Sequence, residues 1–132
     1  MIVVDASVVA HWLLTRQPLQ VPMVLDADVE LAAPHLIDAE VGHTIRRHLL
    51  MGLISAQRAE IALEDFMVLP IERYAHTSLL PRAFALRDNA TIYDALYLAL
   101  AEALGARLLT RDKALMTIPG IEIAIEVMAN GT

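Results

Sequence analysis

The chain has 132 residues, the length of one ordinary domain, and 57% of them are hydrophobic. The formal net charge of −6 argues against a protein that holds nucleic acid through a broad basic surface, and the lack of cysteine excludes disulfides and thiolate metal sites. No apolar run reaches the ~18 residues of a transmembrane helix, and the start, which meets an acid at Asp5, is not that of a signal peptide. We therefore expect a single domain over residues 1–132, located in the cytoplasm and not associated with a membrane.

The first part of the chain predicts two short strands separated by helical and loop segments. Ile2-Val3-Val4 is a β-branched run typical of a buried parallel strand, and it ends at Asp5. Ser7 suits the N-cap of the helix that follows. The predicted elements are a strand over residues 2–4, a helix over 8–14, a loop over 16–22, a short helix over 23–28 and a strand over 30–33 that Pro34 closes.

The middle of the chain predicts a helical hairpin. Apolar residues at helical spacing run over residues 36–51 until Gly52, and a second helix over 55–69 has Ser55 as its cap. Residues 69–71 are either a short strand or an extended link. A further helix is expected over 78–88, interrupted early by Pro81.

The last part predicts a helix over residues 92–104, a strand over 107–110, a short helix over 112–116 and a final strand over 121–127. Gly105 is a typical residue for the end of the first of these. The alternation of Ile121, Ile123 and Ile125 with other residues suggests an edge strand with one exposed face. Because strands alternate with helices, we expect a three-layer α/β/α fold with a central, mainly parallel sheet of four to five strands.

Four carboxylates stand where apolar segments give way to turns or helix starts: Asp5, Glu40, Asp94 and Asp112. Ligands of parallel α/β sheets bind outside the carboxyl ends of the strands, so a fold that gathers these ends would also gather the acids. Clustered carboxylates repel one another unless a cation lies between them. The arrangement therefore predicts a divalent metal site and metal-assisted hydrolysis.

Three of these acids also have a simpler explanation. Asp5 could form an Asx-turn between strand and helix, and Asp112 could cap the short helix after it. Asp94 stands three residues after Thr91, which is the spacing of a capping box. Thr110, at the end of the last but one strand, is either an ordinary strand-end hydroxyl or a donor to a metal-bound water or phosphate.

Glu40 is the member of the set whose orientation must be inferred from helical periodicity. It shares a helical face with Leu36 and Ile37, so we expect it rather than Asp38 to point inward. An inward carboxylate needs a partner, which a metal ion would supply. His43, three residues later, has a spacing that can serve a metal site, although such a histidine more often lies at the surface or behind the ligands.

Several other side chains have both a functional and a structural interpretation. Arg46 could contact an RNA phosphate or simply cover a solvated helix face. Tyr93 and Tyr97 could stack on bases or pack between helices. The remaining histidines, among them His11 and His48, show no ligand spacing and are interpreted as structural.

Taken together, four short motifs resemble those of the PIN-domain ribonucleases, and more closely those of the VapC-type toxins of toxin–antitoxin pairs. The motifs are Ile2-Val-Val-Asp5-Ala-Ser7, Leu36-Ile-Asp-Ala-Glu40, Thr91-Ile-Tyr-Asp94-Ala-Leu and Leu109-Thr110-Arg-Asp112. The resemblance extends from residue 2 to about residue 127. It implies a PIN fold, in which helices flank a central parallel sheet.

The resemblance also implies a function. The acidic quartet of the family falls on Asp5, Glu40, Asp94 and Asp112, its strand-end hydroxyl on Thr110, and its small hydroxyl residue on Ser7. The family uses Mg²⁺ or Mn²⁺, cleaves RNA, forms homodimers and is held inactive by a cognate antitoxin. We hypothesise that Asp5 and Asp94 ligate Mg²⁺ directly, and that Asp112 and Glu40 do so directly or through water.

Two alternatives belong to other classes. The chain could be a catalytically inactive PIN-fold module that binds RNA or a partner protein. It could also be a phosphoryl-transfer α/β enzyme with an acid at the end of strand one, but Ser7 stands where the haloacid-dehalogenase type needs a second Asp. The adjacent acidic pair and the late strand-end Lys of the response-regulator type are not evident either.

Overall fold

A parallel β-sheet forms the centre of the molecule in a computed structural model, which describes residues 1–15 and 29–128. Its strands are β1 (Ile2–Val4), β2 (Leu31–Pro34), β3 (Ile71–Tyr74), β4 (Arg107–Thr110) and β5 (Ile125–Val127). Their order across the sheet is β3-β2-β1-β4-β5, and every neighbouring pair is parallel. Parallel sheets need helices on both faces, because both faces are apolar.

The helices form two groups. They are α1 (Ala6–Leu14), α2 (Leu36–Leu50), α3 (Ala56–Val68), α4 (Leu80–Ala85) and α5 (Ile92–Leu104). The first three contact one another, while α5 contacts α4 and the strands β1, β2 and β4. This arrangement confirms the predicted α/β/α fold with a parallel sheet. No helix within residues 1–15 or 29–128 is both long and apolar enough to cross a membrane.

The core is centred on β1 and α5. All three residues of β1 are buried, as its central place in the sheet requires, and every residue from Ala95 to Ala101 in α5 is buried as well. These α5 residues are Ala and Leu apart from one Tyr, and the small Ala side chains allow the helix to pack closely against the strands. Consequently the N-terminal end of α5 is held rigidly against the sheet.

The start of α1 differs from the prediction. The helix begins at Ala6 rather than at residue 8, and its N-cap is Asp5 instead of Ser7. The Asp5 side chain accepts a hydrogen bond from the backbone N–H of Val8, so it satisfies one of the free donors of the first turn. Ser7 therefore lies inside the helix.

Several other predicted bounds are corrected. The segment predicted as one helix over 78–88 is a 3₁₀ turn (Thr77–Leu79) followed by the short α4, with Pro81 in its first turn, where a missing N–H costs nothing. The short helix after β4 is also 3₁₀ (Lys113–Thr117), and the last strand is confined to Ile125–Val127. Strand β3 begins at Ile71, where the link predicted over 69–71 ends. The loop predicted over 16–22 and the helix over 23–28 lie outside the described residues.

The N-cap of α3 provides a test of the fold. The Ser55 side chain accepts a hydrogen bond of 3.0 Å from the N–H of Arg58, as predicted from the sequence. Ser55→Ala should lower the free energy of unfolding by about 1 kcal/mol. Urea denaturation would measure this, with Gln57→Ala, an exposed change two residues away, as the control. An equal effect of the two substitutions would contradict the assigned cap.

Candidate active site

The four acids lie near the carboxyl edge of the sheet. Val4 pairs with Leu109, so the residues that follow β1 and β4 leave the sheet side by side. The strand order also reverses here: β2 and β3 lie on one side of β1, and β4 and β5 lie on the other. Such a switch point opens a crevice in which parallel α/β proteins bind their ligands.

Asp5 is the most deeply buried of the four acids, with 7% of its surface exposed. Its Oδ1 accepts hydrogen bonds from the Ser7 hydroxyl at 2.6 Å and from the Val8 N–H at 3.1 Å, and its Oδ2 accepts one from the Thr110 hydroxyl. Burial raises the pKa of Asp5, and these hydrogen bonds partly offset the rise. Because each carboxylate oxygen can accept two bonds, Oδ2 retains a position for a further ligand.

The Thr110 hydroxyl links the ends of the two strands. It donates to Asp5 and accepts a hydrogen bond of 3.1 Å from the N–H of Asp112. The exposed Asp112 also caps the 3₁₀ turn after it, because its Oδ1 accepts from the Ala114 N–H at 3.0 Å. A second link runs from the N–H of Arg111 to the Ser7 hydroxyl at 3.3 Å. Asp112 thus caps this turn, as predicted, and is also linked to Asp5 through the Thr110 hydroxyl.

Asp94 lies in the first turn of α5. Its N–H donates to the hydroxyl of Thr91, which is the N-cap, at 3.1 Å. Since α5 leads into the parallel strand β4, its N-terminus lies at the same sheet edge as the strand ends. The pKa of Asp94 is raised, first by burial and then by the negative charges of Asp112 and Asp5. Asp94 is therefore close enough to both Asp5 and Asp112 for their charges to repel its own.

Glu40 joins this cluster from α2. Its pKa is raised mainly by burial, and also by the charges of Asp94 and Asp5. Asp38, by contrast, is exposed and pairs with Arg73 at 2.7 Å. The predicted inward orientation of Glu40 therefore agrees with the structure. His43 and Arg46 are exposed on the same helix.

Tyr97 was predicted to stack on bases or to pack between helices, and its contact with one of the acids was not predicted. Its hydroxyl donates a hydrogen bond of 2.7 Å to Oε1 of Glu40, and only 2% of the residue is exposed. Burial and the charge of Glu40 strongly raise the pKa of Tyr97, so it remains a protonated donor. Two features of the sequence could have indicated this contact. A tyrosine on a buried helix must place its hydroxyl against a hydrogen-bond partner. Tyr97 also follows Asp94 by three residues, which places both on one helical face.

The chemistry of these groups fits a hard divalent cation. Carboxylate oxygens are the ligands that Mg²⁺ and Mn²⁺ prefer. Within the described ranges, no group of three His, Cys, Asp or Glu side chains is arranged to hold a metal ion by itself. Mg²⁺ commonly uses one or two carboxylates and completes its shell with water and substrate phosphate. The acids therefore fit such an ion better than one enclosed entirely by protein ligands.

Comparison with known proteins agrees with the fold and with the family that the motifs resemble. The family model described as the PIN domain matches residues 2–120. The chain belongs to the PIN-domain family. It is 46% identical to Ribonuclease VapC1 of Mycobacterium tuberculosis over 97 residues, which are 73% of each chain. It is 33% identical to Ribonuclease VapC12 of the same species over 129 residues, or 98% of this chain and 100% of the relative.

Solved structures show the same PIN fold. The VapBC2 structure from Rickettsia felis, bound to a DNA fragment from its promoter, includes a chain that superposes with a TM-score of 0.64 at 15% identity, covering 96% of this chain and 98% of that one. PAE2754 from Pyrobaculum aerophilum gives a TM-score of 0.57 at 23% identity, over 93% of this chain and 87% of that one. At these identities the likeness concerns the fold alone.

The Tyr97 contact can be tested in this PIN domain by Tyr97→Phe. The hydrogen bond from Tyr97 lowers the pKa of Glu40, so its loss should move that pKa further up. The free energy of unfolding should fall by about 1 kcal/mol. NMR titration of the Glu40 carboxyl carbon would measure the pKa. A value unchanged from the wild type would contradict the contact.

The mutual repulsion of the acids predicts a pH dependence of stability. Acids whose pKa values are raised by folding bind protons more tightly in the native state, so the stability they contribute is full below their ordinary pKa values and is lost as pH rises through the raised ones. In metal-free buffer, Asp94→Asn should therefore raise the Tm at pH 7, and raise it less at pH 4.

Asp38→Asn is the matched control for the pH experiment, because it removes an exposed carboxylate that is paired with Arg73. It should give no gain at pH 7 and a loss of at most about 1 kcal/mol. Calorimetry of the three proteins at both pH values would measure the effects. A gain from Asp38→Asn equal to that from Asp94→Asn would refute repulsion at the site.

Proposed function

We propose that this PIN domain, as a single domain over residues 1–132, is an Mg²⁺-dependent endoribonuclease and the toxin of a toxin–antitoxin pair. The observation that carries the proposal is the set of acids at the switch point of the sheet. Burial raises the pKa values of Asp5, Glu40 and Asp94, and the charges of neighbouring acids raise those of Glu40 and Asp94 further. Support also comes from the relatives, which are named VapC ribonucleases. The reaction is hydrolysis of an RNA phosphodiester bond.

In this proposal Asp5 and Asp94 hold Mg²⁺ directly, with Mn²⁺ as a substitute, and Asp112 and Glu40 contribute directly or through water. The ion, when bound, supplies a water of lowered pKa and offsets charge on the phosphate. The acids must be ionised to bind it, and its positive charge would lower the raised pKa values of Asp5, Glu40 and Asp94. It would also reduce the repulsion between a carboxylate cluster and RNA phosphate.

The residues around the acids hold the ligand geometry. Thr110 and Ser7 donate to separate oxygens of Asp5, which limits rotation of that carboxylate. Because the Thr110 hydroxyl donates to Asp5, we propose that it acts by orienting Asp5 instead of donating to a metal-bound water or phosphate. Tyr97 has the corresponding role at Glu40.

The partners proposed for the chain are RNA, a cognate antitoxin and a second copy of the chain. The antitoxin proposal draws on the relatives' VapC names and on the solved VapBC2 complex. The homodimer, like the use of Mg²⁺, is proposed from the family resemblance. A cytoplasmic location follows from the proposed substrate, since cellular RNA is found there.

RNA cleavage with and without Mg²⁺ tests the proposal. The wild type should cleave total cellular RNA with Mg²⁺, and EDTA should abolish cleavage. Asp94→Asn should reduce the rate by at least about 100-fold, because it removes a charge that binds the ion. Circular dichroism would establish that the variant is folded.

Asp38→Asn again provides the control, since it makes the same substitution on an exposed residue of α2. Its cleavage rate should stay within about twofold of the wild type. Full cleavage by a folded Asp94→Asn protein would refute the assignment of the site. Binding of RNA by the wild type without any cleavage would favour the inactive binding module.

A further inference from the structure

A cleft adjoins the acid cluster along α1 and the C-terminal half of α2. Its volume is about 380 Å³, and its wall includes Ser7, His11, Thr44, His48, Leu53 and Arg111. Ser7 is common to the cleft and the acid cluster, because its hydroxyl bonds to Asp5. A ligand centred on the acids can therefore continue directly into the cleft.

The wall of the cleft presents a defined pattern of hydrogen-bonding groups. Nδ1 of His48 lies 2.9 Å from the carbonyl oxygen of Thr44. Since a carbonyl oxygen can only accept, Nδ1 donates this hydrogen bond, which leaves Nε2 for a contact with a ligand. Burial and the charge of Arg111 lower the pKa of His11, which favours the neutral form of that ring. Imidazole rings can both stack on a base and hydrogen-bond to its edge.

The remaining wall is apolar, and the size suits a small planar group. Ala10, Leu14 and Ile54 contribute hydrocarbon surface. The volume lies at the lower end of the ~300–1,000 Å³ that small-molecule sites occupy. Single-stranded RNA is read by proteins through unstacked bases that enter such pockets, where side chains contact both the base plane and its edge. A folded protein segment would need a longer apolar groove.

We propose that this cleft seats one unpaired nucleotide of the RNA substrate, next to the phosphate that lies at the acids. His48 contacts the edge of the base, and the apolar wall contacts its plane. The cleft then determines which base is accepted beside the cleavage position. This inference rests on the proposed ribonuclease function and adds to it the residues that select the substrate.

Two matched pairs of variants test the cleft. Leu53→Glu places a negative charge on its wall, and Leu50→Glu places the same charge outside it; the two leucines are 62% and 66% exposed, so both proteins should fold. His48→Ala removes the base contact, and His43→Ala removes an exposed histidine of the same helix. The substrates are total cellular RNA and a pool of random-sequence single-stranded RNA, with the cleaved ends sequenced.

We expect Leu53→Glu to raise KM by about tenfold, the usual effect of losing one stacked base, with a smaller change in kcat. His48→Ala should weaken the base preference at one position beside the cleavage site. Mg²⁺ affinity, measured by calorimetry, should stay unchanged in both, and Leu50→Glu and His43→Ala should match the wild type throughout.

If the wild type cleaves RNA, and Leu53→Glu and His48→Ala leave both KM and the base preference unchanged, the inference about the cleft is wrong. The proposed ribonuclease function would not be affected by that result. If the variants altered only the binding of a partner protein, the cleft would be a protein-docking surface and the inference would also fail. A wild type that cuts neither RNA would overturn the ribonuclease function together with the inference.

Discussion

The buried carboxylate of Asp5 is the group on which the rest of the site depends. It lies between two neighbouring strand ends, caps α1 and accepts the hydroxyls of Ser7 and Thr110. A buried acid without such donors would become neutral or destabilise the fold. Because these donors come from α1 and from β4, both elements must be in place before the Asp5 carboxylate is held. One side chain, that of Asp5, therefore both stabilises the fold and forms part of the acid cluster.

The other acids are held near Asp5 by helices that pack into the fold through contacts of their other side chains. α5 is anchored by its buried Ala and Leu residues, so Asp94 in its first turn is held at the sheet edge. α2 positions Glu40, which the buried Tyr97 hydroxyl then orients. The favourable interaction of an acid with a helix N-terminus offsets only part of the repulsion at Asp94. The cluster is thus a destabilising arrangement that a cation would relieve, a common compromise between stability and activity.

The cleft beside the acids has a different physical character. The acid cluster is a concentration of like charge, whereas the cleft combines two imidazole rings with hydrocarbon surface. The first suits a cation and a phosphate, and the second suits a base. Their shared residue, Ser7, makes the two regions continuous. A protein with a net charge of −6 could in this way engage RNA through local contacts rather than through a broad basic surface.

Most of the fold could be predicted from the sequence, and the four acids singled out there lie near one edge of the sheet. The β-branched run before Asp5, the strand before Thr110 and the long apolar helix after Thr91 are local patterns, and they appear in the structure with nearly the predicted bounds. Helical periodicity predicted which side of α2 faces inward, and it correctly placed Glu40 on that side and Asp38 on the exposed side. Errors occurred where local signals compete: both Asp5 and Ser7 are good N-caps, and Pro81 can interrupt a helix or begin one.

The sequence by itself determined the parallel α/β architecture and the order of the acids along the chain, because hydrophobic periodicity and strand-end chemistry are local. Only the tertiary structure decided which of these groups meet. The contacts of Tyr97 with Glu40 and of Thr110 with Asp5 join residues 57 and 105 positions apart, and they depend on which strands are neighbours. The same holds for the cleft, whose wall combines α1, α2 and the end of β4. Contacts between residues so far apart in the sequence depend on how the helices and strands pack, which no local sequence pattern specifies.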